Sequence, residues 1–283
     1  MNSTYKNRTL KVLLIHERET SMSKLLLTER KDNVKIITLN SPEKLNALSE
    51  EMLVELQKTF NEISANSEIK VVIIKGSGKA FCAGHDLKQM QSARQETDGG
   101  RAYFIKLFKT CGKLMLTIRN LPQPVIAEVD GIATAAGCQL VAACDIAIAS
   151  NKACFGVNGV NIGLFCSTPM VALSRNIGNK KTFEMLVTGE FLDAETAERQ
   201  GLINRVVASE RLSDETQKIA KKIGSKLSSV IKVGKKAFYH QKEMPLENAY
   251  EYTAEVMAEN MLFKDTNEGI NAFIEKRVPK WEK

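Results

Sequence analysis

Two short segments rich in small residues are the strongest candidates for chemistry in this chain of 283 residues. The first, 79–87, reads KAFCAGHDL, and the second, 130–140, reads DGIATAAGCQL between a predicted strand and a predicted helix. Small side chains let a ligand approach the main chain closely, and the first N–H groups of a helix have no partner inside it. One amide from each segment could therefore donate to a carbonyl oxygen that becomes negatively charged. Taken alone, either segment is also what an ordinary tight turn requires.

The composition excludes several other classes of protein. The chain has 40 Lys and Arg residues against 33 Asp and Glu residues, and 43% of its residues are hydrophobic. No apolar run approaches the ~18 residues of a membrane span, so no membrane partner is expected. Three histidines without an HExxH sequence give no support for a metal site. Six cysteines with no CxxC pair favour a reduced compartment and no structural disulfide.

A basic segment lies between Thr216 and Lys242, where eight lysines occur without a single acidic residue. Three interpretations stay open: a solvated helix face, a surface for nucleic acid, or attraction of a phosphorylated small ligand. Aromatic residues are sparse in the segment and no nucleic-acid-binding motif accompanies it, so nucleic acid is not an expected partner. The lysines are Lys218, Lys221, Lys222, Lys226, Lys232, Lys235, Lys236 and Lys242.

The periodicity of the chain predicts the elements that must position these segments. Strands are expected at 34–39, 71–74, 125–127 and 145–149, and helices at 49–63, 101–119 and 140–143. Alternating strands and helices predict an α/β core with a largely buried sheet. After about Arg211 the strand pattern ends, and two helical stretches follow near 212–227 and 246–262.

These elements predict three regions. Residues 1–22 are expected to lie outside the core, either as a weak mitochondrial presequence or as sequence upstream of a true start at Met22. Residues 23–210 form the predicted α/β core, and residues 211–283 form an all-helical domain. Cytoplasmic localisation is expected, with the mitochondrial matrix as the alternative.

The order and spacing of several motifs resemble the crotonase, or enoyl-CoA hydratase/isomerase, superfamily. The motifs are AFCAGHDL, PVIAEVDG, GIATAAGCQL and CDIAIAS, followed by FGVNGVNIGL, EMLVTGEFLDAETAERQGLINRVV and EGINAFIEKRVPKW. The resemblance covers residues 25–281. The segments AFCAGHDLK, ATAAGCQLVA and GLFCSTP resemble a single branch within the superfamily.

The resemblance implies a fold, a ligand and a set of contacts. The fold is the α/β crotonase (ClpP/crotonase-like) spiral of repeated ββα units with a C-terminal all-helical domain, assembled as trimers or dimers of trimers. The ligand is an acyl-CoA thioester, in which coenzyme A is part of the substrate and no separate cofactor is needed. Its carbonyl oxygen would accept hydrogen bonds from the main-chain amides of His85 and Ala136. The implied substrate-binding residues are Asn46, Ala47, Ala83, Asp86, Leu87 and Lys88.

The chain departs from the superfamily pattern where the catalytic carboxylates belong. The two glutamates of the hydratases are replaced by Gln139 and Gly159, and a third position used by some relatives corresponds to Ser167, after Cys166. An amide can orient a water molecule but cannot take its proton. Because general acid–base groups each contribute about 10²–10⁴ in rate, hydration should be weak even with an intact oxyanion hole. Glutamate at both 139 and 159 would be expected to raise it.

Two further residues have a chemical and a structural interpretation. Asp145 could be a catalytic acid, but the superfamily pattern implies a structural role before a strand. Cys166 could act as a base or nucleophile only if its pKa were lowered, and no base lies beside it in the sequence, so packing is the favoured role.

Three functions therefore stay open. The first is an enzyme on acyl-CoA thioesters, nominally an enoyl-CoA hydratase, with chemistry that has shifted toward thioester hydrolysis or decarboxylation. The second is a catalytically silent acyl-CoA-binding protein. The third, for which only the lysine cluster argues, is a nucleic-acid-binding module.

Overall fold

The computed structural model describes residues 21–22 and 25–281. The strands are Ser21–Met22 (β1), Leu26–Lys31 (β2), Val34–Leu39 (β3), Val71–Gly76 (β4), Ala80–Cys82 (β5), Val125–Val129 (β6), Ile132–Thr134 (β7), Ile146–Ser150 (β8), Cys154–Gly156 (β9), Leu192–Asp193 (β10) and Arg205–Val207 (β11). The helices are Glu50–Ala65 (α1), Leu87–Ala93 (α2), Arg101–Asn120 (α3), Ala136–Ala143 (α4), Pro169–Leu173 (α5), Asn179–Thr188 (α6), Ala194–Arg199 (α7), Leu212–Gly224 (α8), Ser228–Gln241 (α9), Leu246–Met261 (α10) and Lys264–Ile274 (α11).

The larger sheet has seven strands in the order β1-β2-β3-β4-β6-β8-β11. The first three strands pair antiparallel, and from β3 onward the neighbours are parallel. Val71–Ile74 is fully buried because helices cover both faces of the sheet, which explains its unbroken run of β-branched residues. The strands expected at 34–39, 71–74, 125–127 and 145–149 are confirmed within a residue or two at their ends.

The smaller sheet, in the order β10-β9-β7-β5, builds the site. Each repeat of the chain gives its first strand to the large sheet and its short second strand to the small one, as β4/β5, β6/β7 and β8/β9 do. Strands β5 and β7 are parallel, with Cys82 paired to Ala133. Their carboxyl ends therefore meet at one edge, which brings the two candidate segments together.

Two hydrophobic layers hold the large sheet. On one face α1 and α3 bury side chains at helical spacing, among them Leu56, Phe60 and Leu114. The Ser49 side chain begins α1 as predicted, because its hydroxyl accepts a hydrogen bond from the Met52 amide at 3.2 Å. On the other face α8 covers the strands.

The C-terminal region differs from the prediction. Four helices, α8 to α11, occupy the range in which two were expected, and the stretch expected at 212–227 ends at Gly224. Helices α9 and α11 were missed because each buries few apolar side chains: only Ala237 of α9 and Ala272 of α11 are buried. No strand follows β11 in the described part of the chain, as expected.

Of the predicted N-terminal region 1–22, the structure describes only Ser21–Met22. Ser21–Met22, inside the range expected to lie outside the core, pairs with β2 at the edge of the large sheet. Residues 1–20 lie outside the described residues. Across the described ranges, no helix combines the length and apolar character needed to cross a bilayer.

Candidate active site

The two small-residue segments meet at Gly84. A Cβ atom built on Gly84 would lie 3.0 Å from the Ala135 Cβ and 3.4 Å from the Ala136 nitrogen. Gly84 also has a φ of 92°, which side chains rarely allow. Glycine is therefore required here both by the backbone conformation and by the contact between the two turns.

The first turn is fixed by main-chain hydrogen bonds to the loop before α1. The Ala83 amide donates to the Leu45 carbonyl at 3.0 Å, and the Leu48 amide donates to the Gly84 carbonyl at 2.7 Å. Leu48 and His85 form an isolated parallel bridge. Among the hydrogen bonds of the described residues, none uses the His85 amide as donor. That amide is therefore available to a ligand.

The second turn directs the first amide of α4 toward the His85 amide of the first turn. Ala135 has φ 49° and ψ −117°, a sparsely populated conformation for a residue with a side chain. Its amide donates to the Gly156 carbonyl at 2.9 Å, which holds the turn. Ala136 is the first residue of α4, so its amide has no helical partner and lies at the positive end of the helix. Two free amides in adjoining turns can stabilise a developing oxyanion.

The His85 side chain adds a titratable group to the site. Its Nδ1 lies 3.2 Å from the Leu48 carbonyl oxygen. Because a carbonyl only accepts, Nδ1 carries the proton and Nε2 keeps its lone pair. Nε2 is buried and has no hydrogen-bond partner among the described residues, and the ring packs edge-on against Phe108 with centroids 5.6 Å apart. Burial lowers the pKa of the imidazole, so it is neutral at physiological pH.

Gln139 lies where the resemblance implies the first glutamate of the hydratases. It is 4% exposed, and its Oε1 has no hydrogen-bond partner among the described residues. The side chain lies in the wall of a cavity of about 800 Å³, one turn of α4 beyond Ala136. His85 and Ala136 are not among the lining residues of that cavity. The apolar wall includes Met115, Leu116, Ala142, Val171 and Ala172.

The resemblance places Gly159 where the hydratases carry their second glutamate, and the structure leaves no room for a side chain there. A Cβ atom on Gly159 would lie 2.2 Å from the Leu164 carbonyl oxygen and 2.9 Å from the Cys166 Sγ. The Leu164 amide also donates to the Gly159 carbonyl at 2.9 Å, so the 159–166 loop is closed on itself. A glutamate at 159 therefore cannot be accommodated without moving the main chain. Introducing glutamate at both 139 and 159 therefore requires a main-chain change as well as two side-chain substitutions.

The remaining nucleophile candidates are not activated. Burial raises the pKa of the Cys166 thiol, and it raises the pKa of Cys138 to about 12. Both side chains are therefore thiols rather than thiolates at neutral pH, which supports the packing role expected for Cys166. Ser167 is exposed and its hydroxyl donates to the Phe165 carbonyl at 3.4 Å. All six cysteines are free.

The residues expected to bind the nucleotide part of a ligand fall into two groups. Asn46 is fully buried, with its Nδ2 donating to the Ser77 and Ala80 carbonyls, both at 2.8 Å, and its Oδ1 accepting from the Ser41 amide. Its side chain is saturated by main-chain groups and the whole residue is 0% exposed, so Asn46 presents no free surface to a ligand. The adjoining Ala47 is 9% exposed.

The second group lies at the start of α2. Asp86 caps this helix by accepting from the Lys88 and Gln89 amides at 2.9 and 3.3 Å, so its carboxylate has a structural role. Leu87 and Lys88 are exposed beside it, and Ala83 is half-buried next to the candidate oxyanion amides. These three residues border the site from its open side.

Asp145 forms a buried ionic network away from the two turns, as a structural role requires. Its Oδ2 accepts from the Lys235 Nζ at 2.7 Å and from the Val125 amide at 2.6 Å. Its Oδ1 accepts from the Tyr239 hydroxyl at 2.8 Å. Lys235 is the inward-facing member of the lysine cluster, and the other seven lysines are exposed on α8, between α8 and α9, on α9 and just after it. Most of the basic segment is thus a solvated helix surface.

The spiral of two sheets and the paired amides in adjoining turns define a crotonase-type protein. The chain belongs to the enoyl-CoA hydratase/isomerase family, whose model matches residues 29–283. Enoyl-CoA hydratase domain-containing protein 3, mitochondrial, of Rattus norvegicus is 46% identical over 261 residues, which are 92% of this chain and 85% of the rat protein. The Homo sapiens protein of that name is 46% identical over 250 residues, with 88% of this chain and 81% of the human protein covered.

Solved structures similar to this chain carry the same family names as its sequence relatives. A crystal structure of enoyl-CoA hydratase from Mycobacterium smegmatis has a TM-score of 0.88 and 51% identity, and the match covers 92% of this chain and 99% of that chain. The crystal structure of human enoyl-CoA hydratase domain-containing protein 3 has a TM-score of 0.86 and 45% identity, covering 91% and 100%. The superfamily resemblance, the crotonase fold and the branch suggested by AFCAGHDLK, ATAAGCQLVA and GLFCSTP are confirmed.

Proposed function

We propose that this protein binds acyl-CoA thioesters and polarises their carbonyl group with the main-chain amides of His85 and Ala136. The observation that carries the proposal is the contact of the two turns at Gly84 and Ala135, with both amides lacking an internal acceptor. When the thioester oxygen becomes negatively charged in a reaction, each such donor contributes a factor of about 10²–10³ to the rate. The acyl-CoA ligand is the one that the sequence resemblance implied.

The cavity beside Gln139 is the proposed location of the acyl group. Its apolar wall suits a hydrocarbon chain, and about 800 Å³ is within the usual size range of a ligand pocket. The nucleotide part would lie on the other side of the amides, over Ala47 and beside Ala83, with Leu87 and Lys88 at the solvent side. Lys88 is a cation suited to a phosphate in that position.

Weak hydration follows from the same proposal. Gln139 cannot transfer a proton, Gly159 has no side chain, and Ser167 is not activated. The expected behaviour is saturable thioester binding with hydratase turnover several orders of magnitude below that of an enzyme with two carboxylates.

Calorimetric titration with butyryl-CoA tests the binding step. Ala136→Pro removes one donor amide at a first helical position. Because a proline also disfavours the ψ of −117° at Ala135, thermal unfolding of the variant must match that of wild type before affinities are compared. We expect affinity to fall at least about tenfold, because a charge-assisted hydrogen bond is lost. Asn179→Pro, at the first position of α6 and exposed, is the matched control and should bind normally. Equal affinity in both variants would remove the proposed oxyanion site.

A proton NMR time course of a 2-enoyl-CoA in heavy water tests the second step. Broadening of the thioester signals without formation of a 3-hydroxy product is the expected result at high protein concentration. Product formation that scales with wild-type protein, and is absent from Ala136→Pro, would instead mean that hydration proceeds through a proton carrier other than a carboxylate at 139 or 159.

Thioester hydrolysis is a second candidate function, and the free Nε2 of His85 favours it. In this reaction a water oxygen would bond to the thioester carbonyl carbon while Nε2 takes a proton from that water. The C–S bond would then break, and the imidazolium would give its proton to the departing coenzyme A thiolate, leaving a carboxylic acid and the free thiol. The oxyanion amide of His85 is independent of its side chain, so His85→Gln separates the two roles. We expect the variant to bind butyryl-CoA within about twofold of wild type and to lose about 10²-fold or more in thiol release. Unchanged thiol release would exclude the imidazole.

We infer a mitochondrial location from the relatives. The rat and human proteins carry the word mitochondrial in their names, which supports the matrix alternative over the cytoplasm. A fluorescent protein fused to the C-terminus of the full chain tests this by its overlap with a matrix marker. A diffuse cytoplasmic signal would contradict the inference.

A further inference from the structure

The cavity proposed for the acyl group adjoins a second concavity of similar size. The second concavity has a volume of about 730 Å³, against about 800 Å³ for the acyl cavity, and its wall comes mainly from the end of α3 and from α9. Four residues line both spaces: Leu116, Arg119, Tyr239 and Glu243. Residues that line both spaces lie between them, so these four form a partition.

Arg119 is the centre of this partition. Its Nη2 donates to the Glu243 Oε1 at 2.8 Å and to the Tyr239 carbonyl at 2.9 Å. The guanidinium also lies over the Tyr239 ring, with its carbon 4.9 Å from the ring centroid, and the Tyr239 hydroxyl in turn donates to Asp145 at 2.8 Å. These contacts hold the Arg119 head group between α3 and α9, among the residues that separate the two spaces.

Glu243 extends the partition toward α5. Besides its bond to Arg119, its Oε1 lies 3.9 Å from the Nε of Arg175, which follows α5 and lines the acyl cavity but not the second concavity. The Arg119 hydrogen bond lowers the pKa of the Glu243 carboxyl, so the pair is ionised at neutral pH. The side chains of Arg119 and Glu243 are 24% and 51% exposed. A partly exposed pair of this kind contributes little to folding, so it can be removed without loss of the fold.

Helix α3 gives the length of the acyl cavity up to the partition. The His85 ring packs on Phe108, and Lys109, the next residue, is the first residue of α3 in the cavity wall. Arg119 follows Phe108 by 11 positions, which is about 16 Å of helix at ~1.5 Å per residue. An extended chain advances about 1.2 Å per bond, one third of the ~3.6 Å that an extended residue spans. The partition therefore lies about 13 bonds from the oxyanion turns, which corresponds to an acyl chain of about 12–14 carbons.

We propose that the Arg119–Glu243 pair closes the far end of the acyl cavity and makes the protein selective for acyl-CoA thioesters of up to about 12–14 carbons. The inference rests on the proposed thioester function and on the proposed location of the acyl group. With the pair in place, carbons beyond the partition gain no further apolar contact. Without it, the two spaces join and a longer chain continues past the end of α3 along α9.

Equilibrium dialysis of the full chain against butyryl-, lauroyl- and palmitoyl-CoA, below the concentrations at which the long thioesters form micelles, tests the proposal. We expect the affinity of wild type to rise strongly from butyryl- to lauroyl-CoA and to change by less than about twofold from lauroyl- to palmitoyl-CoA. Arg119→Ala should bind palmitoyl-CoA at least about tenfold more tightly than lauroyl-CoA, because each newly buried CH₂ group is worth up to about fourfold. Glu243→Ala should shift the same ratio by at least about threefold, since Arg119 keeps its contacts with Tyr239.

Arg175→Ala is the matched control, because it removes the same charge from the acyl cavity without opening the partition. It should keep the wild-type ratio of palmitoyl-CoA to lauroyl-CoA affinity within about twofold. Tenfold tighter binding of palmitoyl-CoA than lauroyl-CoA by wild type, or the same ratio in Arg119→Ala and Arg175→Ala, would overturn the partition, while butyryl-CoA binding would still support the thioester site. If wild type binds none of the three thioesters, the partition and the thioester site are both wrong. Thermal unfolding verifies that the variants are folded, and Glu243→Ala decides the question if Arg119→Ala is not.

Discussion

At the scale of single residues, the surroundings of Gly159 leave no room for the second carboxylate side chain that the resemblance implies. The Leu164 carbonyl and the Cys166 sulfur occupy the volume that a Cβ atom would need. The sequence showed the substitution, because the motif spacing aligned Gly159 with the family glutamate. It did not show that the following loop had closed, since that depends on the path of residues 163–166, which no local pattern encodes.

We expect Gly159→Ala to destabilise the protein by about 1–3 kcal/mol, since overpacking at a buried site forces a main-chain shift. Gly234→Ala is the matched control because a Cβ there, in the exposed middle of α9, meets no atom within 4 Å. It should raise stability by up to about 1 kcal/mol through the better helix propensity of alanine. Urea unfolding of the two variants measures both effects, and a neutral Gly159→Ala would mean that the loop yields at little cost.

The His85 imidazole gives the site a predictable pH dependence. Burial lowers its pKa in the folded protein, so the unfolded chain takes up the proton more readily. The stability contributed by the neutral ring is present above the unfolded pKa of about 6.5 and is lost as the pH falls through that value. We expect His85→Gln to lose less stability than wild type between about pH 7.5 and pH 5.5. Urea unfolding measures the free energy of unfolding at both pH values. An equal fall in that free energy in wild type and His85→Gln would contradict this role.

The site residues differ in how far the sequence could predict them. The sequence predicts the amides of His85 and Ala136 as donors because amide positions depend on motif spacing alone. Asn46 was assigned to ligand contact, yet its side chain is saturated by three main-chain groups that are distant in sequence. The unpartnered His85 Nε2 could not be found either, because it depends on packing against Phe108 in α3.

At the scale of elements, α9 connects the helical region to the core through buried charge. Lys235 Nζ, with a side chain 7% exposed, donates to the Ile118 and Gln123 carbonyls at 3.0 Å each and to Asp145 at 2.7 Å. Burial lowers the pKa of the Lys235 ammonium while Asp145 opposes that shift. The helix was missed in the sequence because its inward face uses this lysine and Tyr239 where a hydrophobic pattern would use apolar residues. The short strands of the small sheet were missed because an alternation of apolar and polar residues cannot be recognised over three residues.

We expect Lys235→Met to cost about 3–5 kcal/mol of folding free energy, because it leaves the buried Asp145 carboxylate without its cation. Lys236→Met, on the exposed side of the same helix, should change stability by less than about 0.5 kcal/mol. Tyr239→Phe should fall between the two, at about 1.5–3 kcal/mol, since it removes one hydrogen bond to a charged group. Urea unfolding at neutral pH orders the three variants. A Lys235→Met variant as stable as Lys236→Met would mean that the network adds nothing to folding.

At the scale of the whole molecule, α10 and α11 leave many apolar side chains in solvent. Only Ala249 and Ala272 of these two helices are fully buried. The exposed set has fractional exposures between 55% and 85%, and comprises Leu246, Tyr250, Met257, Met261, Phe273 and Ile274. Exposed apolar side chains in this number are typical of an interface between subunits. We therefore expect them to contribute to the trimer, or dimer of trimers, that the family resemblance implies.

A charge placed in this surface should therefore break the assembly. Met257 is 71% exposed on α10, and Met257→Glu would bury an unpaired carboxylate in the interface, which costs several kcal/mol. We expect size-exclusion chromatography with light scattering to show wild type as a trimer or hexamer and Met257→Glu as a monomer at the same concentration. Asn248→Glu adds the same charge to an exposed polar position of the same helix and should keep the wild-type mass. If wild type itself elutes as a monomer, these apolar side chains are not a subunit interface. If Met257→Glu keeps the assembled mass, the interface must lie on another part of the exposed set.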